Sequence, residues 1–255
     1  MSENLEQKPS ADAQVASPSY RLAALDTDFL LGDSMRGLRF QLEYEKTEEA
    51  LRAWGINSTI VVFGSARVRE YGPDRDAFWY NEARKFARIA SQKGGALDGK
   101  QGGRENVICT GGGPGIMEAA NRGAYDAGAP NIGLNITLPH EQFPNPYSTP
   151  NLTFRFHYFA MRKMHFAMKA KALVAFPGGF GTFDELFEIL TLVQTHKMPA
   201  VPVILFDRTY WNAVIGFQAL VDHGMIAADD LNLFHFADTA EEAWQLLSDF
   251  QTKNG

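Results

Sequence analysis

Ala172-Leu173-Val174-Ala175-Phe176, running into Pro177-Gly178-Gly179-Phe180-Gly181-Thr182-Phe183-Asp184-Glu185, is the stretch on which the fold turns. Five apolar residues read as a buried strand, the glycines as a tight turn, and the apolar-periodic residues 186–193 as a helix. Glycine lets the backbone pass close to a ligand and take angles a Cβ forbids. The amides opening such a helix face the turn, backed by the positive end of the helix dipole, which suits a phosphate. Glu185 adds a carboxylate one helical turn away. Thr182-Phe183-Asp184-Glu185 also fits a capping box, in which Glu185 bonds back to an orphan amide. A cap needs no run of glycines, and the two roles are compatible.

Outward from this stretch, strand-like and helix-like segments alternate. Strands are expected at residues 59–63, 106–110, 131–137, 152–157, 173–176, 201–206 and 233–236. Helices are expected at 75–92, 116–127, 159–171, 182–195, 209–223 and 240–250, with an amphipathic one before them at 35–54. Short, apolar, β-branched strands alternating with helices predict a doubly wound, Rossmann-like α/β domain: a mostly parallel sheet covered on both faces. Residues 1–20 lack an apolar block and are expected to be a disordered tail, residues 21–57 a helical extension, and residues 58–255 a single domain. Residues 94–104 read as a polar, glycine-rich loop, and residues 138–153, with four prolines, as a long segment placed to cover a pocket or form an interface.

Composition narrows the function classes. The 255 residues are 45% hydrophobic and 21% charged, ordinary for a soluble globular chain with a sizeable core. A net charge of -6 does not suggest a nucleic-acid-binding surface. The single cysteine, Cys109, excludes an intrachain disulfide and reads as a buried, inert thiol within a strand. Six histidines without ligand spacing predict no metal. No signal peptide or membrane span is visible, so a cytoplasmic protein is expected.

Three glycine-bearing turns follow strands: Gly64-Ser65-Ala66-Arg67, Gly111-Gly112-Gly113-Pro114-Gly115, and the opening one. In a doubly wound sheet such turns meet at the carboxyl ends of the strands, where ligands bind. The Gly111 turn is not the dinucleotide fingerprint, because Ile116 stands where its last glycine belongs. Residues 94–101 approach a triphosphate loop but lack the closing Ser or Thr and a strand leading in. His196-Lys197 follows a helix, where basic residues satisfy the carboxyl end, and does not read as a Schiff-base site.

Upstream of the opening motif, Met161, Met164 and Met168 fall at helical spacing and read as core packing. Arg162 and Lys163 read as a solvated charged face, or, for Arg162, as a planar fork for a phosphate or ribose oxygen. Together, Gly111 to Glu118, Met161-Arg162-Lys163 and Pro177 to Glu185 resemble the LOG (Lonely Guy) phosphoribohydrolases, over roughly residues 58–222. Members have often been labelled lysine decarboxylases, a name this site chemistry does not support. The resemblance implies hydrolysis of the N-glycosidic bond of a purine nucleoside 5′-monophosphate, a cytokinin riboside 5′-monophosphate or AMP. Free base and ribose 5-phosphate are the products. It implies Arg162 and Glu185 as the catalytic pair, and Gly178, Gly179, Gly181 and Thr182 as the phosphate loop. Gly112, Gly113, Met117, Lys163 and Ser65 follow as further substrate-facing residues. It also implies a homodimer or larger homo-oligomer and no cofactor.

The chemistry suits those residue types. Ribosyl cleavage develops oxocarbenium character, which a carboxylate stabilises while it orients or deprotonates water. An arginine clamps a substrate oxygen, and a gripped phosphate aligns the ribose. Asp184, Glu118 and His157 are candidates for a general acid, with nothing to select among them. The alternative on the same scaffold is a non-catalytic nucleotide or molybdenum-cofactor carrier.

Overall fold

The computed structural model describes residues 10–99, 102–138 and 143–254. Parts of the expected tail (1–9), of the 94–104 loop (100 and 101) and of the 138–153 segment (139–142) lie outside the described residues. The chain divides into two compact units, Met1–Glu43 and Tyr44–Gly255.

Within the first unit, α1 (Asp12–Val15) and α2 (Thr27–Leu31) are short and bury no residue. Asp26 caps α2 by accepting the Phe29 N–H at 3.2 Å. Arg39, near the start of α3 (Arg36–Ala53), donates to the Leu30 and Gly32 carbonyls at 2.8 and 2.6 Å, satisfying acceptors that the end of α2 leaves open.

The second unit holds seven strands: β1 (Thr59–Phe63), β2 (Val107–Thr110), β3 (Ile132–Ile136), β4 (Thr153–Phe156), β5 (Ala170–Ala175), β6 (Val203–Phe206) and β7 (Phe234–Ala237). They pair in parallel in the order β4-β3-β2-β1-β5-β6-β7. Every residue of β1, β2 and β6 is buried, as the apolar runs predict for a sheet covered on both faces. Side chains alternate between two cores. Ile60, Val62, Ala172 and Val174 join one, beneath α4 (Asp74–Lys93), α5 (Ile116–Asp126) and α10 (Ala240–Asn254). Val61, Phe63, Leu173 and Ala175 join the other, with residues of α6 (Phe159–Met168), α7 (Phe180–Gln194), α8 (Arg208–Val214) and α9 (Phe217–Asp222). Among the described residues no helix is long and apolar enough to cross a membrane.

Of the boundaries that differ from expectation, three bear on the site. The helix expected at 159–171 stops at Met168, because the Lys169 carbonyl accepts the Thr59 N–H at 2.8 Å and starts β5 against β1. Ala170 is buried and Lys171 exposed, a strand alternation hidden among helix-forming residues. The helix expected at 209–223 divides into α8 and α9 around Ile215 and Gly216. The helix expected from Thr182 begins at Phe180, with Gly179 at its N-cap and no side-chain cap bond.

Candidate active site

The strand order reverses at β1, which lies between β2 and β5, so the turns after these three strands converge on the crevice where such sheets bind ligands. Ser65 stitches them together. Its N–H donates to the Pro177 carbonyl at 2.9 Å, and its carbonyl accepts the Ile116 N–H at 3.1 Å. Gly115, at φ +72, has room for no Cβ, which would strike the Ser65 carbonyl. Between the turns lies a cleft of about 730 Å³, lined in part by Ser65, Arg67, Gly113, Met117, Arg162, Gly178 and Glu185. A larger groove of about 1120 Å³ runs beside α6 and α7 and includes neither Arg162 nor Glu185. Of the two, the smaller cavity is the one lined by both Arg162 and Glu185.

Two elements bring Arg162 and Glu185 together: α6 on one side, the second turn of α7 on the other. Arg162 Nη2 donates to Glu185 Oε1 at 2.6 Å, and the two side chains are only 12% and 10% exposed. The capping-box role for Glu185 is absent, since α7 starts two residues before Thr182 and the carboxylate turns to Arg162 instead. Burial pushes the Glu185 carboxyl up to about 7, against the pull of the Arg162 charge. Arg162 stands between the rings of Phe159 and Phe166, at 5.3 and 5.4 Å, and its Nε is buried without a partner. A carboxyl poised near neutrality beside a held guanidinium is suited to proton exchange and to stabilising positive charge on a sugar.

The start of α8 braces the glycine turn. Tyr210 Oη donates to the Gly178 carbonyl at 2.5 Å, and Trp211 Nε1 to the Ala175 carbonyl at 3.2 Å. Asp207 sets that pair in place: it adopts φ +70, caps α8 through the Tyr210 N–H at 2.9 Å and accepts Trp79 Nε1 at 2.9 Å. A Cβ on Gly178 would collide with Thr182 Oγ1, so the turn closes tightly on the first turn of α7. A buried amide network braces the Gly111 turn in the same way. Asn145 N and Nδ2 donate to the Gly112 and Gly113 carbonyls at 2.8 and 3.1 Å, while Thr110 Oγ1 accepts the Gly112 N–H at 2.9 Å.

Of the residues singled out in sequence, Arg162, Glu185, Gly178, Gly179, Gly181, Thr182, Gly113, Met117 and Ser65 line the cleft. Gly112 does not line it. Lys163 faces the larger groove, with Nζ bonded to Asp184 and Glu188, both at 2.9 Å. Asp184, Glu118 and His157 do not line the cleft, and Glu118 accepts the Tyr80 hydroxyl at 2.8 Å. Arg67, named in sequence only as part of the β1 turn, lines it too, and Asn135, Phe159 and Tyr210 line it without having been given a site role. Asn135 carried a signal, a lone amide within an apolar strand; its Nδ2 is buried without a partner. Tyr210 carried none, because its contact with Gly178 spans 32 residues.

Comparison with known proteins bears on family and fold. A family model described as possible lysine decarboxylase matches residues 117–247. The rice (Oryza sativa subsp. japonica) protein named "Probable cytokinin riboside 5′-monophosphate phosphoribohydrolase LOG4" is 32% identical over 141 residues, covering 54% of this chain and 60% of its own length. The chain thus spans less than two thirds of that relative. Arabidopsis thaliana cytokinin riboside 5′-monophosphate phosphoribohydrolase LOG2 is 26% identical over 153 residues, covering 58% of this chain and 70% of its own. Among solved structures, TM1055 aligns with a TM-score of 0.52 at 23% identity, over 75% of this chain and 99% of that one. A molybdenum cofactor binding protein from Rippkaea orientalis aligns at 0.51 and 20%, over 76% and 97%. At those identities the structures speak to the fold alone.

Proposed function

The chain belongs to the LOG family, whose model is described as possible lysine decarboxylase, and from that premise we propose that it hydrolyses the N-glycosidic bond of a purine nucleoside 5′-monophosphate. The substrate is a cytokinin riboside 5′-monophosphate or AMP, and the products are the free base and ribose 5-phosphate. One observation carries the reading: the buried Arg162–Glu185 pair, 2.6 Å apart, beside a glycine turn at a helix N-terminus. The turn Gly178 to Thr182 holds the 5′-phosphate through backbone amides. Arg162 clamps the sugar and keeps Glu185 oriented. As the C1′–N bond breaks, its electron pair leaves with the base, and Glu185 stabilises the positive charge left on the ribose. Water then adds to C1′, giving up a proton to Glu185, and an equivalent proton reaches the departing base nitrogen, so that the free base leaves neutral and the carboxylate is restored.

Decarboxylation of lysine would call for pyridoxal phosphate joined to a lysine. Among the described residues no lysine lines the cleft, and Lys163 is engaged by Asp184 and Glu188. The residues present do not fit that group. A non-catalytic carrier is the alternative, but a carrier needs phosphate-binding amides and not a buried acid paired with arginine. The proposal includes a cytoplasmic homodimer or larger homo-oligomer, an expectation drawn from the family and tested by light scattering and fractionation.

The deciding experiment is chromatographic. Purified protein incubated with a panel of nucleoside monophosphates should release adenine-type base, and none from the unphosphorylated nucleosides. Protein that is inert on the whole panel and carries a stoichiometric pterin would decide for the carrier.

A further inference from the structure

Among the described residues, three charged side chains line the cleft: Arg67, Arg162 and Glu185. Arg162 and Glu185 engage each other. Arg67, at the tip of the β1 turn, is exposed, and its guanidinium has no partner among the described residues. Other arginines nearby are committed: Arg69 Nη1 donates to the Ala66 carbonyl at 2.9 Å, and Arg75 Nη2 to Asp207 Oδ2 at 3.1 Å.

An unpaired arginine on a protein surface is ordinary, but two features separate this one from that background. Its backbone is held, because Ser65 Oγ accepts the Arg67 N–H at 3.0 Å and Ser65 is itself bonded to both neighbouring turns. The guanidinium therefore hangs from a tip tied to Pro177, the residue that opens the glycine turn. The cleft's other cation is paired with Glu185 at 2.6 Å, leaving Arg67 as the positive charge without an acidic partner among the described residues that line the cavity. Helix amides supply only partial charges to an anion, whereas a guanidinium fork offers a full charge and two parallel donors to phosphate oxygens.

We propose that Arg67 is a substrate-binding residue that supplies the counter-charge for the 5′-phosphate, opposite the amides of α7. This rests on the phosphoribosyl reading of the cleft. It divides the labour between the two arginines: Arg67 recognises the phosphate and Arg162 acts at the sugar. Discrimination between a nucleotide and its unphosphorylated nucleoside then depends on Arg67 as well as on the glycine turn.

The test is titration calorimetry of the full-length protein with ribose 5-phosphate, alongside turnover of AMP. Arg67→Ala should weaken ribose 5-phosphate binding on the order of 10–100-fold and raise the KM for AMP to match. Its thermal unfolding midpoint should stay put, since the side chain supports nothing. Arg67→Lys, which keeps the charge and loses the fork, should recover part of the affinity. Arg67→Ala binding ribose 5-phosphate as tightly as the wild type overturns the role of Arg67 while leaving the site's function standing. A wild type that binds no ribose 5-phosphate overturns the phosphoribosyl reading, and this role with it.

Discussion

Glu185 is held in a state that water would not choose for it. Its ordinary value is 4.5, and burial lifts it to about 7 even with Arg162 2.6 Å away. If the ionised form works on the sugar, kcat/KM should fall as pH drops below about 7, and a pH–rate profile flat from 5 to 8 would contradict that role. Arg162→Ala and Glu185→Ala should each lower turnover of AMP by about 10²–10⁴-fold, with circular dichroism unchanged. The same carboxyl carries a stability signature. A folded value raised above the unfolded one gives stability that is present below about pH 4 and lost as pH rises through about 7. Against Glu185→Gln, the wild type should therefore lose about 3 kcal/mol between pH 4 and pH 8 in urea melts at the two pH values. Parallel curves would show the carboxyl to be solvated.

At the scale of elements, the site consists of turns stiffened from outside. The glycine turn is braced by α8 through Tyr210, and the Gly111 turn by Asn145. Tyr210→Phe removes only the hydroxyl that fixes the Gly178 carbonyl and should raise the KM for AMP several-fold, with a smaller effect on kcat. An unchanged KM would place the turn's rigidity elsewhere. Asn145→Ala leaves the Gly113 carbonyl without its buried side-chain donor and Asn121 Oδ1 with the Thr110 hydroxyl alone, and should cost about 1–3 kcal/mol in denaturant melts. The strand–turn–helix of residues 172–194 was legible in sequence because strand, glycines and helix are all local signals. The end of α6 was not. Lys169-Ala170-Lys171 has good helix propensity, and only pairing of the Lys169 carbonyl with Thr59, 110 residues away in sequence, turns it into strand.

For the molecule as a whole, the sheet order is what assembles the cleft, with β1 at its centre. Ile60 and Val61 enter opposite cores and both are fully buried. Ile60→Ala should cost about 2–5 kcal/mol and lower the urea midpoint, because packed helices cannot collapse onto the missing volume. By itself, the sequence determined the alternation of strands and helices, the parallel class of the sheet, the three glycine turns and the residue types at the site. These are encoded in short-range periodicity and in glycine's freedom from a Cβ. Only the tertiary structure decided that Glu185 meets Arg162 rather than capping its own helix. It also decided that Lys163 faces another groove and that Asn135 and Tyr210 join the cleft. Those choices depend on which strands pair and on what each side chain is buried against, and residues tens of positions apart in the chain carry no local mark of it.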